Sequence, residues 1–220
     1  RKNLVMFTDV LNLPLNSDRA NRADQILTLN NMSWSDYEQL VETDIKYKAS
    51  YWHGVITIVS PSRNHERIAE IINGLIKTYC RKYNLIYFSM GSTTIKNPPL
   101  AGKEPDRSFA FEIDKSIPDL AIEVTYTSGS IADLEKYQSL GIKEVWFWRM
   151  ETLPFRELVL HSRWRNNKIT FYQLVDSEYL ETQTSICLPE IYSNFLITFV
   201  NRGLIETPLI IEEDFYQQLN

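Results

Sequence analysis

The sequence predicts an α/β fold in which a central mixed β-sheet is flanked by helices, and three stretches carry that expectation. Phe109 to Ile113 and Asp119 to Thr125 are dominated by β-branched and aromatic residues and are separated by polar, Pro-bearing residues, the pattern of a hairpin. Between Asn64 and Tyr83 the apolar residues Ile68, Ile71, Ile72, Leu75, Ile76 and Tyr79 fall at helical spacing and supply a face to pack on a sheet. Val145-Trp146-Phe147-Trp148 is apolar throughout, as expected of a strand buried on both faces of a mixed sheet.

The chain has 220 residues, enough for one domain with a core of its own. We divide it into an N-terminal arm over 1–32, a domain over 33–202 and a C-terminal tail over 203–220. No apolar run approaches the roughly 20 residues that span a bilayer, and the first residues lack the pattern of a secretory signal, which reads as a cytoplasmic protein. Cys80 and Cys187 occur singly, without the paired spacing of a zinc site or a disulfide framework, and read as buried free thiols. A formal net charge of −5 argues against a surface coated in basic residues, so contact with nucleic acid has to come from a local patch.

Ser35 followed by Glu38 suggests a capping box opening a helix from Asp36 to Glu42. Tyr51 to Val59 reads as a hairpin turning near Gly54, and Ser60-Pro61-Ser62 stops it before the long helix. His65 and Glu66 fall in that helix's first turn, where a glutamate is favoured by the helix dipole alone. Leu85 to Met90 and Thr93 to Lys96 read as a strand and its continuation, leading through a Pro98-Pro99-Leu100 loop to Asp106, with Lys103 a loop charge either solvated or facing a phosphate. Ser130 can cap a helix from Ile131 to Leu140 that Gly141 ends, placing Asp133, Lys136 and Tyr137 on one face at spacings of three and four. Arg156 to His161 and Lys168 to Val175 read as a pair turning near Asn166-Asn167, with Arg163, Arg165 and Lys168 clustered at the turn. Phe195 to Asn201 is amphipathic, and the tail after Gly203 is apolar enough to need a partner surface, either the body of the protein or a second subunit.

A hairpin centred on Asp114-Lys115 sets Asp106 opposite Glu123. Directly opposed residues are about 4.5–5.5 Å apart at Cα and point to one face, so their two carboxylates can share a divalent cation. Asp119 and Glu123, four positions apart on one strand, are separated by about 13 Å, too far for one ion.

These pieces taken in order resemble the PD-(D/E)XK restriction-endonuclease-like superfamily, and within it a large bacterial family of endonuclease-like proteins expanded in photosynthetic bacteria. The matching stretches are Ser60-Pro61-Ser62 with His65-Glu66, Gly102 to Asp106, Pro118 to Val124, Asp133 to Tyr137 and Gly141 to Trp148, so the resemblance runs from about Ser33 to Leu196. One departure stands out: the motif places a lysine two residues after the second acid, and here that position is Thr125.

The resemblance implies a restriction-endonuclease-like core and Mg²⁺-dependent hydrolysis of phosphodiester bonds, with DNA the expected nucleic acid and Mn²⁺ able to substitute. It assigns Asp106, Glu123 and the Val124 carbonyl as metal ligands, Glu66 as the acid completing a second metal position, and Lys136 as the lysine supplied from the next helix, so that Asp106, Glu123, Lys136 and Glu66 form the catalytic set. For Glu66 the alternative is a helix-dipole residue, and for Lys136 a surface ion pair with Asp133. The arm and the apolar tail suggest a homodimer. Thr125 and the acidic balance keep open a second reading, a catalytically inactive nuclease-fold protein that binds nucleic acid or a protein partner. A small-molecule hydrolase lacks support, since there is no GxSxG and the three histidines are scattered.

Overall fold

A computed structural model describes residues 24–43, 47–125, 131–150 and 167–220. Its strands form two sheets where the sequence suggested one. The first has the order β1-β3-β2-β6-β5 and is built from β1 (Gln25–Asn30), β2 (Lys48–Trp52), β3 (Val55–Ser60), β5 (Ile95–Asn97) and β6 (Ala101–Lys103), all antiparallel. The second has the order β11-β10-β9-β8-β7-β4 and contains β4 (Tyr87–Ser89), β7 (Arg107–Phe111), β8 (Leu120–Thr125), β9 (Glu144–Arg149), β10 (Lys168–Val175) and β11 (Glu178–Thr182). It is mixed: β8 and β9 run parallel and its other pairs antiparallel.

The helix α1 spans Trp34–Glu42, α2 Arg63–Tyr83, α3 Ile131–Leu140, α4 Ser193–Gly203 and α5 Pro208–Gln218. A parallel pair needs a crossover, and α3 provides it between β8 and β9. On α2, Ile68, Ile72, Leu75, Ile76 and Tyr79 are buried in the main core with Trp146, Trp148, Phe109 and Leu120 of the mixed sheet. The apolar run at 145–148 is buried throughout, as a strand interior to a covered sheet requires.

Several elements differ from expectation for local reasons. The stretch 25–30, assigned above to an arm, is a strand whose residues alternate between half-buried and exposed and which pairs along its whole length with β3. The capping box of α1 uses Ser33 and Asp36, two residues earlier than Ser35 and Glu38. The stretches 85–90 and 93–96 are not one strand continued: β4 joins the mixed sheet and β5 the antiparallel one. The tail forms α5, which buries Ile211 and Phe215 in the main core and leaves Leu209 and Ile210 exposed, so the body of the protein covers part of its apolar surface. The strand expected at 156–161, the arginines at 163 and 165 and the cap at Ser130 lie outside the described residues.

The hairpin of β2 and β3 turns at His53 and Gly54, both at positive φ (44° and 84°), as a two-residue hairpin turn demands. The chain reaches the mixed sheet by a short crossing. Lys103 ends β6 opposite Ser50 of β2, Arg107 opens β7, and Glu104-Pro105-Asp106 lies between the two sheets. Pro105 lacks an N–H to continue a ladder, so it suits a point where a strand leaves one sheet for another. Gly102 permits the close approach of α1 beneath this crossing, because a Cβ there would lie 2.2 Å from Cε1 of the buried Tyr37 ring.

Candidate active site

Of the two acids of the sequence motif, Glu123 lies on β8 and Asp106 immediately ahead of the adjacent β7, at the end that faces the antiparallel sheet. The expected register holds for Arg107 with Ile122, Ser108 with Ala121 and Phe109 with Leu120. At Asp106 it slips: the Asp106 N–H donates to the Ile122 carbonyl at 3.0 Å, so two residues of one strand face one of the other, as in a β-bulge. The Asp106 backbone therefore stands one step short of the position opposite Glu123. Its carboxylate reaches past the slip, and Oδ2 accepts the Val124 N–H at 2.6 Å.

Asp106 is 1% exposed and Glu123 9%, so neither charge is left to water. On Asp106, Oδ1 accepts from His65 Nε2 at 2.7 Å and from the Lys48 ammonium. Burial alone would raise this carboxyl, but His65 and Lys48 outweigh it and hold it well below the usual carboxylate range. His65 is buried too, which would favour its neutral form. With Asp106 on one ring nitrogen and Asp24 Oδ2 at 2.7 Å on the other, its pKa is nonetheless raised to about 10. On Glu123, Oε1 accepts the Tyr137 hydroxyl and lies 3.2 Å from Lys103 Nζ. Its carboxyl is raised because burial outweighs the help of Lys103, and the charge of Asp106 adds to the rise.

The cations have equally specific origins. Lys48 and Ser50 alternate onto one face of β2, and Lys103 is directly opposite Ser50 on β6, so the antiparallel sheet presents all three toward the acids. From α3, Asp133 and Lys136 enter the same group. Lys136 Nζ is 3.1 Å from Asp133 Oδ1 and donates to Ser50 Oγ at 3.3 Å, while Lys103 Nζ is 3.8 Å from the same Asp133 oxygen. Lys136 is 6% exposed, and its pKa is lowered by burial and then by the neighbouring Lys103. Lys103 moves upward despite burial, because Glu123 and Asp133 both favour its charged form.

Among the residues assigned from sequence, Asp106, Glu123, Val124 and Lys136 come together here. Glu66 lies on the first turn of α2, and its carboxylate makes no hydrogen bond or ion pair with this group among the described residues. Its neighbour His65, about 100° around the helix, makes the contact with Asp106 instead. Sequence reasoning missed Lys48 altogether and left Lys103 undecided between solvent and phosphate. Lys103 stands three residues before Asp106, a spacing that would have located it had the crossing between sheets been foreseen.

Four carboxylates (Asp24, Asp106, Glu123, Asp133) thus meet four cationic groups (Lys48, His65, Lys103, Lys136) through these ion pairs. Among the described residues no cluster of three or more His, Cys, Asp or Glu side chains is spaced to hold a metal. The donors that remain suit a hard cation that keeps part of its water shell. They are the two carboxylates and the Val124 carbonyl, which by strand alternation faces the β7 side like that of Ile122, whereas the Thr125 carbonyl accepts from Met150 of the chain leaving β9.

A Pro-Asp step at a strand start, a carboxylate on the adjacent strand and a lysine from the following helix, set in a mixed sheet packed by helices, define a restriction-endonuclease-like protein. The chain belongs to the Uma2 family, described as putative restriction endonuclease, whose match covers residues 34–193. Among solved structures it is similar to a putative nuclease of the DUF820 group from Anabaena variabilis ATCC 29413, with a TM-score of 0.50 and 12% identity over 77% of this chain and 99% of that one, a likeness of fold. No curated protein matches the chain. No described helix is long and apolar enough to cross a membrane.

Proposed function

We propose that this protein is a Mg²⁺-dependent endonuclease acting on nucleic acid, with DNA the expected substrate. The observation that carries the reading is the crossing of Lys103 to Asp106 from one sheet to the other, which sets a row of ammonium groups against the two motif carboxylates in a buried seam. Asp106, Glu123 and the Val124 carbonyl would hold the cation. When bound, a Mg²⁺ supplies Lewis acidity that lowers the pKa of a coordinated water and offsets charge on the phosphate.

The protein's own groups do the rest. Lys136 stands in for the lysine absent at Thr125, and on a helix that begins just beyond β8 its side chain leans back toward the end of the Glu123 strand. Its ammonium is held by Asp133 and Ser50, ready to donate to a phosphate oxygen as negative charge develops there. Because burial and Lys103 depress its pKa, it gives up a proton more readily than an exposed lysine. Tyr137 and Lys103 fix the rotamer of Glu123 and keep its charge in a water-poor site. Lys48 neutralises Asp106 and has to yield to an arriving cation.

A cytoplasmic setting fits the unpaired Cys80 and Cys187. A homodimer is supported by Leu209 and Ile210, 81% and 49% exposed on the outer side of α5. The test is cleavage of single-stranded, double-stranded and plasmid DNA and of RNA with Mg²⁺ or Mn²⁺. Divalent cation binding without cleavage of any of them would favour the inactive, binding-only descendant.

A further inference from the structure

The hydrogen bonds around Asp106 continue beyond the seam. Asp24, immediately ahead of β1, uses both carboxylate oxygens: Oδ1 accepts the N–H of Ser62, the N-cap of α2, at 2.7 Å, and Oδ2 meets His65 Nδ1 at 2.7 Å. His65 Nε2 in turn meets Asp106 Oδ1, and Asp106 Oδ2 accepts the Val124 N–H. An unbroken chain therefore runs from the start of α2 through two side chains to the carboxylate and on to β8. The side chains of Asp24, His65 and Asp106 are all buried, at 6%, 4% and 2% exposure. No element of the proposed hydrolysis uses Asp24 or the ring of His65.

We infer that Asp24 and His65 are positioning residues that set the rotamer of Asp106 for a divalent cation, with Asp24 orienting the imidazole and the imidazole orienting the carboxylate. The inference rests on the reading of Asp106 as a cation ligand. Of the two groups on Oδ1, the Lys48 ammonium competes with an arriving cation, whereas His65 is anchored from behind and stays. A ligand carboxylate backed by hydrogen bonds of this kind typically loses about 10–100-fold in metal affinity when the backing residue is removed. The same pair also ties β1 to α2, and the competing explanation is that it serves stability alone.

The two are separated by Asp24→Asn, which keeps the size of the side chain but can no longer accept from both Ser62 and His65, together with Asp24→Ala and His65→Ala. Mn²⁺ affinity is read by calorimetry, folding by thermal unfolding, and the ring N–H protons of His65 by NMR with ring-labelled histidine. We expect Asp24→Asn to stay folded, to bind Mn²⁺ at least tenfold more weakly, and to lose the slowly exchanging Nδ1 proton that the parent shows. Mn²⁺ affinity equal to the parent's in a folded Asp24→Asn protein overturns the inference, as does a parent without protected ring protons. A parent that binds Mn²⁺ and cleaves nothing contradicts the nuclease reading and leaves this inference standing. A parent that binds no Mn²⁺ overturns both.

Discussion

Replacing Lys103 by methionine removes one charge from the seam while nearly keeping the volume. Its Nζ is 3.2 Å from Glu123 Oε1, and at an effective dielectric constant of about 20 that pair attracts by about 5 kcal/mol. Part of this is offset by the cost of burying the ammonium, which the variant no longer bears. Glu123 is left buried with the Tyr137 hydroxyl as its hydrogen-bond donor among the described residues, and removing one half of a buried pair typically costs about 3–5 kcal/mol, so we expect a loss of about 3 kcal/mol at neutral pH. The loss should depend on pH. With Lys103 gone, the carboxyl of Glu123, already raised by burial, rises further, and a group with a raised folded pKa loses stability as pH climbs from its unfolded value through the folded one. Urea unfolding at pH 5.5 and pH 8 measures both: the deficit should be smaller at pH 5.5, and Glu123→Gln in the same background should recover most of it. A deficit below about 1 kcal/mol that is flat with pH would refute the buried pair.

Three further outcomes follow from the same contacts. Lys136→Ala should lower cleavage by a factor on the order of 10²–10³ with divalent cation binding intact in calorimetry; undiminished cleavage would return Lys136 to a mere partner of Asp133. Gly102→Ala forces a methyl into the Tyr37 ring and should cost about 1–3 kcal/mol in denaturant unfolding, a loss that Tyr37→Leu in the same chain should partly relieve. Because the folded pKa of His65 is raised to about 10, its contribution is fully present below the unfolded value of about 6.5 and is lost as pH rises through 10. Unfolding free energy should therefore fall between about pH 6.5 and 10 by a few kcal/mol in the parent, and His65→Gln should lack that part of the decline.

What could be read from the sequence was what local pattern controls. Hydrophobic periodicity placed α2 within one residue at its start, and the register between 107 and 109 followed from the hairpin centre. Asp106 and Glu123 could be set near each other because each lies at the end of a stretch with a strong local strand signal, whereas Lys136 was assigned from the family resemblance. Lys48 and Lys103 depend on two sheets meeting. β5 and β6, which build that junction, are three residues each, too short to show a period. The bulge at Asp106 arises where Pro105 interrupts the ladder, a tertiary event that a hairpin rule does not contain. Choosing between His65 and Glu66 needed the position of α2 over the sheet, since neighbouring residues on a helix differ by about 100° in direction. The strand at 25–30 did carry a signal: its apolar Ile26, Leu27 and Leu29 stand among polar residues, a pattern too brief to separate from an extended arm without β3 beside it.

The seam as a hydrolytic centre is tested most directly by plasmid and oligonucleotide cleavage in Mg²⁺ or Mn²⁺ by the parent, Asp106→Asn and Glu123→Gln, each first shown to be folded. We expect divalent-dependent cleavage by the parent and a loss of at least about 10² in each variant. Cleavage at the parent rate in either folded variant would contradict the account.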